Sequence, residues 1–195
     1  MSAVLDYPHR YAFTADEYFR MGEAGVFPPE ARVELIEGEI LEMAPIGSPH
    51  AGTVNILTRA FVLLAGDRAI VSVQNPLIVS DRSVPQPDVA VLGARATSYT
   101  DAHPTAADVF LVVEVSDTTA RFDRSIKVPL YARAGIQEAW VVDVNAKVVH
   151  VYREPEAGGY RTTRTVAVGG EVALRALPDV RIAVGDLFPE ATRPL

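Results

Sequence analysis

Val109-Phe110-Leu111-Val112-Val113-Glu114-Val115-Ser116-Asp117 is apolar throughout except for Glu114 and its last two residues. β-Branched valine dominates the run, which predicts a buried central strand. A carboxylate inside such a run is costly, because an ionised group loses its water unless a cation or hydrogen-bond donors replace it. Glu114 stands close to where the strand gives way to the polar Asp117-Thr118-Thr119. That is the strand end at which open α/β sheets bind their ligands. A second carboxylate, Asp88, stands near the start of the short apolar run Gln86-Pro87-Asp88-Val89-Ala90-Val91-Leu92. Two acids on neighbouring strands repel each other unless a metal lies between them. This pair is the predicted centre of the molecule.

The rest of the composition narrows what that centre can be. At 195 residues, with 49% hydrophobic and 22% charged residues, the chain is expected to fold as a single domain over residues 1–195. No apolar run is long enough to span a bilayer, and Met1–Pro8 lacks a signal-peptide pattern, so the expected location is the cytoplasm. The absence of cysteine rules out disulfides, iron–sulfur clusters and thiolate zinc sites. His9, His50, His103 and His150 show no close ligand spacing. A metal here is therefore expected to be oxygen-bound, which favours magnesium, manganese or calcium. The net charge of −7 argues against indiscriminate nucleic-acid binding by the whole surface. It leaves room for a local basic patch, and Arg121, Arg124, Lys127 and Arg133 cluster just after the central strand.

Working outward, Thr14-Ala15-Asp16-Glu17 is a capping box opening a helix that Gly25 should close. Arg32–Ile36 and Glu39–Met43 read as a hairpin turning at Glu37-Gly38. Ser48-Pro49-His50 reads as a helix start with serine at the N-cap. Val54, Leu57, Phe61 and Leu64 follow on one face, which His50 shares, and Gly66 ends the helix. Ile70–Val79 is expected to be a strand or strand pair interrupted near Asn75-Pro76, and Pro87–Leu92 the strand that carries Asp88. Arg121–Ala134 is expected to be a helix ending at Gly135, with Pro129 disturbing its first part. At about 100° per residue, Asp123, Lys127, Leu130 and Ala134 share one stripe, which turns Lys127 toward the sheet. Ala139–Asp143 and Lys147–Arg153 form a further strand pair, and Gly158-Gly159 and Gly169-Gly170 punctuate short strands beyond it.

Magnesium takes near-octahedral oxygen ligation, commonly two carboxylates with water and phosphate oxygens, which Asp88 and Glu114 can supply. A nearby lysine then orients or deprotonates water, or offsets the charge that develops on phosphorus. Pro87-Asp88 followed by Glu114-Val115-Ser116 resembles the PD-(D/E)XK motif of the restriction-endonuclease-like superfamily, with Ser116 where the motif lysine normally stands. The ordered blocks Val33–Ile40, Pro49-His50, Glu114-Val115-Ser116, Asp123–Lys127, Tyr131, Gly135 and Glu138–Asp143 are similar to those of the Uma-type endonuclease family. The resemblance extends over roughly Thr14 to Tyr152.

It implies an α/β fold with a mixed central β-sheet flanked by helices, preceded by an N-terminal helix and β-hairpin. It also implies Mg²⁺- or Mn²⁺-dependent hydrolysis of nucleic-acid phosphodiesters, DNA foremost. By the resemblance the motif lysine has moved to the helix, making Lys127 its stand-in. Asp88 and Glu114 would hold the metal, with the Val115 carbonyl as a third ligand, and Glu34 would assist. His50, Ser116, Asp123 and Arg124 are candidate substrate or supporting residues.

Each assignment has a plainer counterpart. Asp88 can cap a turn, Glu114 can pair with Lys127 as a structural bridge, Glu34 can be an exposed strand residue, and Asp123–Lys127 can be an ordinary helical ion pair. Ser116 is not expected to act as a nucleophile, since no histidine or lysine stands nearby in sequence to activate it. Expected partners are nucleic acid and further copies of the chain in a homodimer or higher homo-oligomer, with no membrane. The rival function is a non-catalytic nucleic-acid-binding or subunit-interaction protein that keeps the nuclease fold. A hydrolase of smaller phosphate esters is a third.

Overall fold

The computed structural model describes residues 10–189. Thr14 caps α1 (Ala15–Glu23): its hydroxyl oxygen accepts from the Glu17 N–H, and the Glu17 carboxylate accepts in return from the Thr14 N–H. The hairpin follows as β1 (Val33–Ile36) and β2 (Glu39–Glu42). Its turn needs Gly38, which has φ +83° and where a Cβ would stand 2.7 Å from that of Ala12.

Helix α2 (Ser48–Ala65) starts one residue earlier than its serine suggests: Gly47, not Ser48, is the N-cap, and Pro49 lies in the first turn, where its missing N–H costs nothing. Val54, Leu57 and Phe61 are buried as expected, with Ala65 continuing the stripe. Leu64 lies at its margin and is 42% exposed.

β3 (Ala69–Ser72) is much shorter than the strand expected over Ile70–Val79. Pro76 cannot donate to a ladder, and only isolated bridges at Ile78 and Ser80 follow. β4 (Val89–Gly93) begins just after Asp88, and β5 (Val109–Ser116) is the predicted central strand.

The expected helix Arg121–Ala134 is instead three pieces: α3 (Ala120–Phe122), a π-helical turn (Asp123–Lys127) and α4 (Val128–Arg133). Pro129 has no N–H and in a regular helix its ring would strike the carbonyl four residues back. The chain relieves this by widening the preceding turn, where the Val128 N–H donates to the Asp123 carbonyl five residues back. β6 (Glu138–Asp143), β7 (Val148–Glu156) and β8 (Gly159–Ala167) complete the main sheet, and β9 (Glu171–Ala173) pairs with β10 (Arg181–Ala183).

The six-stranded sheet runs β3-β4-β5-β6-β7-β8, and only β5 and β6 are parallel. A parallel neighbour needs a crossover, and α3 to α4 supply it. Alternation along the strands splits the core between two faces. Val89, Val91, Leu111, Val113, Val115, Trp140 and Val142 pack against α2 on one face. Ala90, Leu92, Val112 and Ala139 meet Tyr131 and Ile136 on the other. The crossover therefore lies over the face onto which the side chain of Glu114 projects. Among the described residues no helix is long and apolar enough to cross a membrane.

Candidate active site

The site begins with a mismatch in strand length. The β4–β5 ladder ends at Val89 opposite Val113, so β5 outruns its neighbour. The N–H of Val115 finds no strand partner there and donates instead to Asp88 Oδ2 at 2.8 Å. His50 Nε2, from the first turn of α2, lies 3.0 Å from the same oxygen, and Gln74 Nε2 donates to Oδ1 at 3.0 Å. Burial pushes the Asp88 carboxyl up, but the hydrogen bond and charge of His50, the Val115 N–H and Gln74 outweigh it and hold the group below its usual range.

Glu114 faces the opposite balance. Its Oε1 accepts from the hydroxyl of fully buried Tyr131 and lies 3.5 Å from Lys127 Nζ. Burial pushes its carboxyl well up; Lys127 opposes this, while the charges of Asp123 and Asp88 add to it. Glu34 arrives from the hairpin, which docks through paired backbone bonds between Leu35 and Val84. Glu34 Oε2 lies 3.0 Å from Lys127 Nζ and accepts from the Gln86 N–H at 3.2 Å. Asp123, on the π-helical turn, accepts on Oδ2 from Ser116 Oγ at 2.7 Å and Thr119 Oγ1 at 2.6 Å. Burial raises its carboxyl against those two bonds.

Lys127 is the single ammonium among these acids. Burial alone would lower its pKa, but Glu114, Glu34 and Asp123 more than reverse this and raise it above the ordinary lysine value. Lys127 is thus held charged across the neutral range, a donor of hydrogen bonds rather than an acceptor of protons. Glu34, Asp88, Glu114 and Asp123 are each no more than 6% exposed. They line one cavity of about 540 Å³ together with Lys127 and His50.

The structure therefore brings Asp88, Glu114, Glu34, Lys127, Asp123 and His50 together. Val115 joins them through its backbone, and Ser116 lies beneath as a donor to Asp123. Arg124 is not among them. It is exposed on the outer side of the π-helical turn, where its charge acts on His150 and Tyr152 of β7. Four contributors escaped the sequence reading as site residues: Tyr131, Gln74, Gln86 and the cavity-wall residue Arg32. Tyr131 carried a signal, one helical turn beyond Lys127; the glutamines lie in irregular segments without periodicity.

A divalent cation can be tested against this donor set. Among the described residues no three His, Cys, Asp or Glu side chains converge as a metal-binding group. The donors on offer are hard oxygens in the number magnesium uses, two carboxylates completed by backbone oxygen and water. Glu34 Oε1, Glu114 Oε2 and Asp123 Oδ1 accept no hydrogen bond from the described residues, yet none is a sealed, unpartnered atom. Their residues line the cavity, where acidic side chains outnumber the cationic Arg32 and Lys127. In donor type and charge the residues fit the cation.

The mixed six-stranded sheet with its helical crossover has a counterpart among solved structures. The solved structure of a putative nuclease belonging to DUF820 from Anabaena variabilis shares it, with a TM-score of 0.70 and 18% identity over 90% of this chain and 97% of that one. The sequence profile of the Uma2 family, described as "putative restriction endonuclease", matches residues 15–185, and the chain belongs to that family. No curated protein matches it.

Proposed function

We propose that this protein is a divalent-metal-dependent endonuclease that hydrolyses phosphodiester bonds of DNA. Membership of the family supports a nuclease function in general. The observation that carries the finer reading is the charge imbalance: four buried acids share one cavity with a single ammonium. Such an arrangement is destabilising by itself and calls for a further cation.

In this reading Asp88, Glu114 and the carbonyl of Val115 hold Mg²⁺ or Mn²⁺, which supplies Lewis-acid stabilisation of charge on the phosphate. The chain's own residues do the rest. His50, Gln74 and the Val115 N–H hold the Asp88 carboxylate in one orientation, and Tyr131 does the same for Glu114. Lys127, kept charged and fixed by Glu34, is aimed at the negative charge that builds up as water adds to phosphorus and the P–O bond to the leaving oxygen breaks. Ser116 serves by holding Asp123, not as a nucleophile.

Incubating the purified protein with plasmid, single-stranded DNA and RNA, in Mg²⁺, Mn²⁺ or EDTA, tests this directly. Cleavage that requires the metal and is lost in Glu114→Gln and Asp88→Asn is the expected result. Cleavage that persists in EDTA or in both variants contradicts the site. A protein that binds DNA without cutting it under any metal is the non-catalytic module.

A further inference from the structure

The cavity has walls that metal-assisted chemistry leaves unexplained. One is apolar: Leu41 of β2, then Met43, Pro45 and Ile46 on the segment leading from β2 to α2. Phe122 of α3 is half-buried in the same lining. Near the start of α2 the two sides nearly touch, since a Cβ on Gly47 would lie 3.5 Å from Asp117 Oδ2. The acids lie at the bottom, Asp88 6% and Glu114 3% exposed. Arg32, half-buried in the lining, forms no ion pair among the described residues.

A double helix is a poor match for this shape. It turns phosphates and sugars outward and keeps the faces of its bases stacked inside, so an apolar wall has nothing to meet. Its paired strand also keeps a phosphate from descending alone to recessed carboxylates. An unpaired strand has neither difficulty. Its backbone is flexible, and the same nucleotide presents both a phosphate and an open base face, which aromatic side chains stack against.

We infer that the cavity takes an unpaired strand of nucleic acid: a single-stranded end, a flap or an open loop. A base lies against Phe122 and the Met43–Ile46 wall, the adjoining phosphate descends to Asp88 and Glu114, and Arg32 meets a phosphate at the wall. This inference rests on the nuclease reading and specifies its substrate.

The test uses labelled oligonucleotides of about 20 nucleotides, longer than the roughly 4–16 nucleotides that single-strand sites commonly cover. One sequence is offered as single strand, blunt duplex and duplex with a flap, each in DNA and RNA, so that the sugar preference emerges from the same series. Binding is read by fluorescence anisotropy in Ca²⁺ and cleavage in Mn²⁺. The single strand and the flap should bind at least about tenfold more tightly than the blunt duplex, with cuts confined to unpaired positions; a tenfold change corresponds to 1.4 kcal/mol.

Phe122→Ala should weaken single-strand binding about five- to 150-fold, the range set by loss of one base–aromatic contact. Phe122→Trp should restore it, and the Mn²⁺-induced rise in melting temperature should survive both changes. Equal binding and cutting of the blunt duplex overturns the inference and leaves the nuclease reading standing, as does an unchanged single-strand affinity in Phe122→Ala. If no oligonucleotide is bound or cut, the nuclease reading itself fails and the inference falls with it.

Discussion

Lys127→Met is the most revealing single change, because it keeps an unbranched stem of nearly the same length and removes the ammonium with its charge and its donors. Lys127 Nζ lies 3.0 Å from Glu34 and 3.5 Å from Glu114, with its side chain 5% exposed. At an effective dielectric of about 20, each contact is a gross attraction of roughly 5 kcal/mol. Most of that offsets the desolvation of the three groups. The cost of removing one partner from a buried pair is about 3–5 kcal/mol, since the other charges are left uncompensated. For a protein of this size each kcal/mol moves the melting temperature by roughly 2–4 °C, so the loss should be about 6–20 °C at neutral pH.

The sign of the pH dependence follows from Glu114. Its folded-state pKa is raised, so the native protein holds a proton that the unfolded chain has released. Across that window stability falls as pH rises, and it recovers on acidification. Removing Lys127 takes away the charge that opposed this shift, so the deficit of the variant should shrink as pH falls through the folded-state value of Glu114. In the wild type, the raised pKa of Lys127 means that its own contribution persists through neutrality and is lost only as pH climbs through the folded value. Thermal melts by circular dichroism at several pH values read all of this. A neutral-pH melting temperature within about 2 °C of wild type, roughly 1 kcal/mol, would refute the claim that Lys127 holds the acids together.

Mn²⁺ at a hundred times its dissociation constant should stabilise the wild type by about 2.7 kcal/mol, and Glu114→Gln and Asp88→Asn should remove that gain; equal melting shifts in all three proteins would place the cation elsewhere. Asp88, whose carboxyl is held low, contributes stability that is lost as pH falls through its folded value, so Asp88→Asn should flatten the acid limb of the stability profile. Tyr131→Phe leaves Glu114 Oε1 without its buried hydroxyl donor and should cost about 1.5–3 kcal/mol in urea unfolding, while a loss under about 0.5 would mean the bond does no structural work. Ser116→Ala should slow cleavage modestly through Asp123; complete loss of cleavage with an intact Mn²⁺ melting shift would instead make the hydroxyl a participant in the reaction.

The sequence by itself determined β5, the capping box of α1, the β1–β2 hairpin and the strand pair β6–β7, because each depends on residues a few positions apart. It also exposed Glu114, since a carboxylate in a valine-rich strand is costly wherever the strand lies. The inward phase of Lys127 was legible too, and survived the π-helical turn that replaced a regular helix. What only the tertiary structure decided is which charges meet. Glu34 sits in a four-residue strand whose alternation cannot say which face is covered until Leu35 docks on Val84. Gln74 and Gln86 reach the acids from segments without periodicity, and Arg124, three residues before Lys127, points to a different surface. The protonation of Lys127 belongs to no local window, because it is set by the sum of burial and three acids from separate elements. Local patterns encode periodicity and cost; proximity and charge state arise when those elements pack and exclude water from one another.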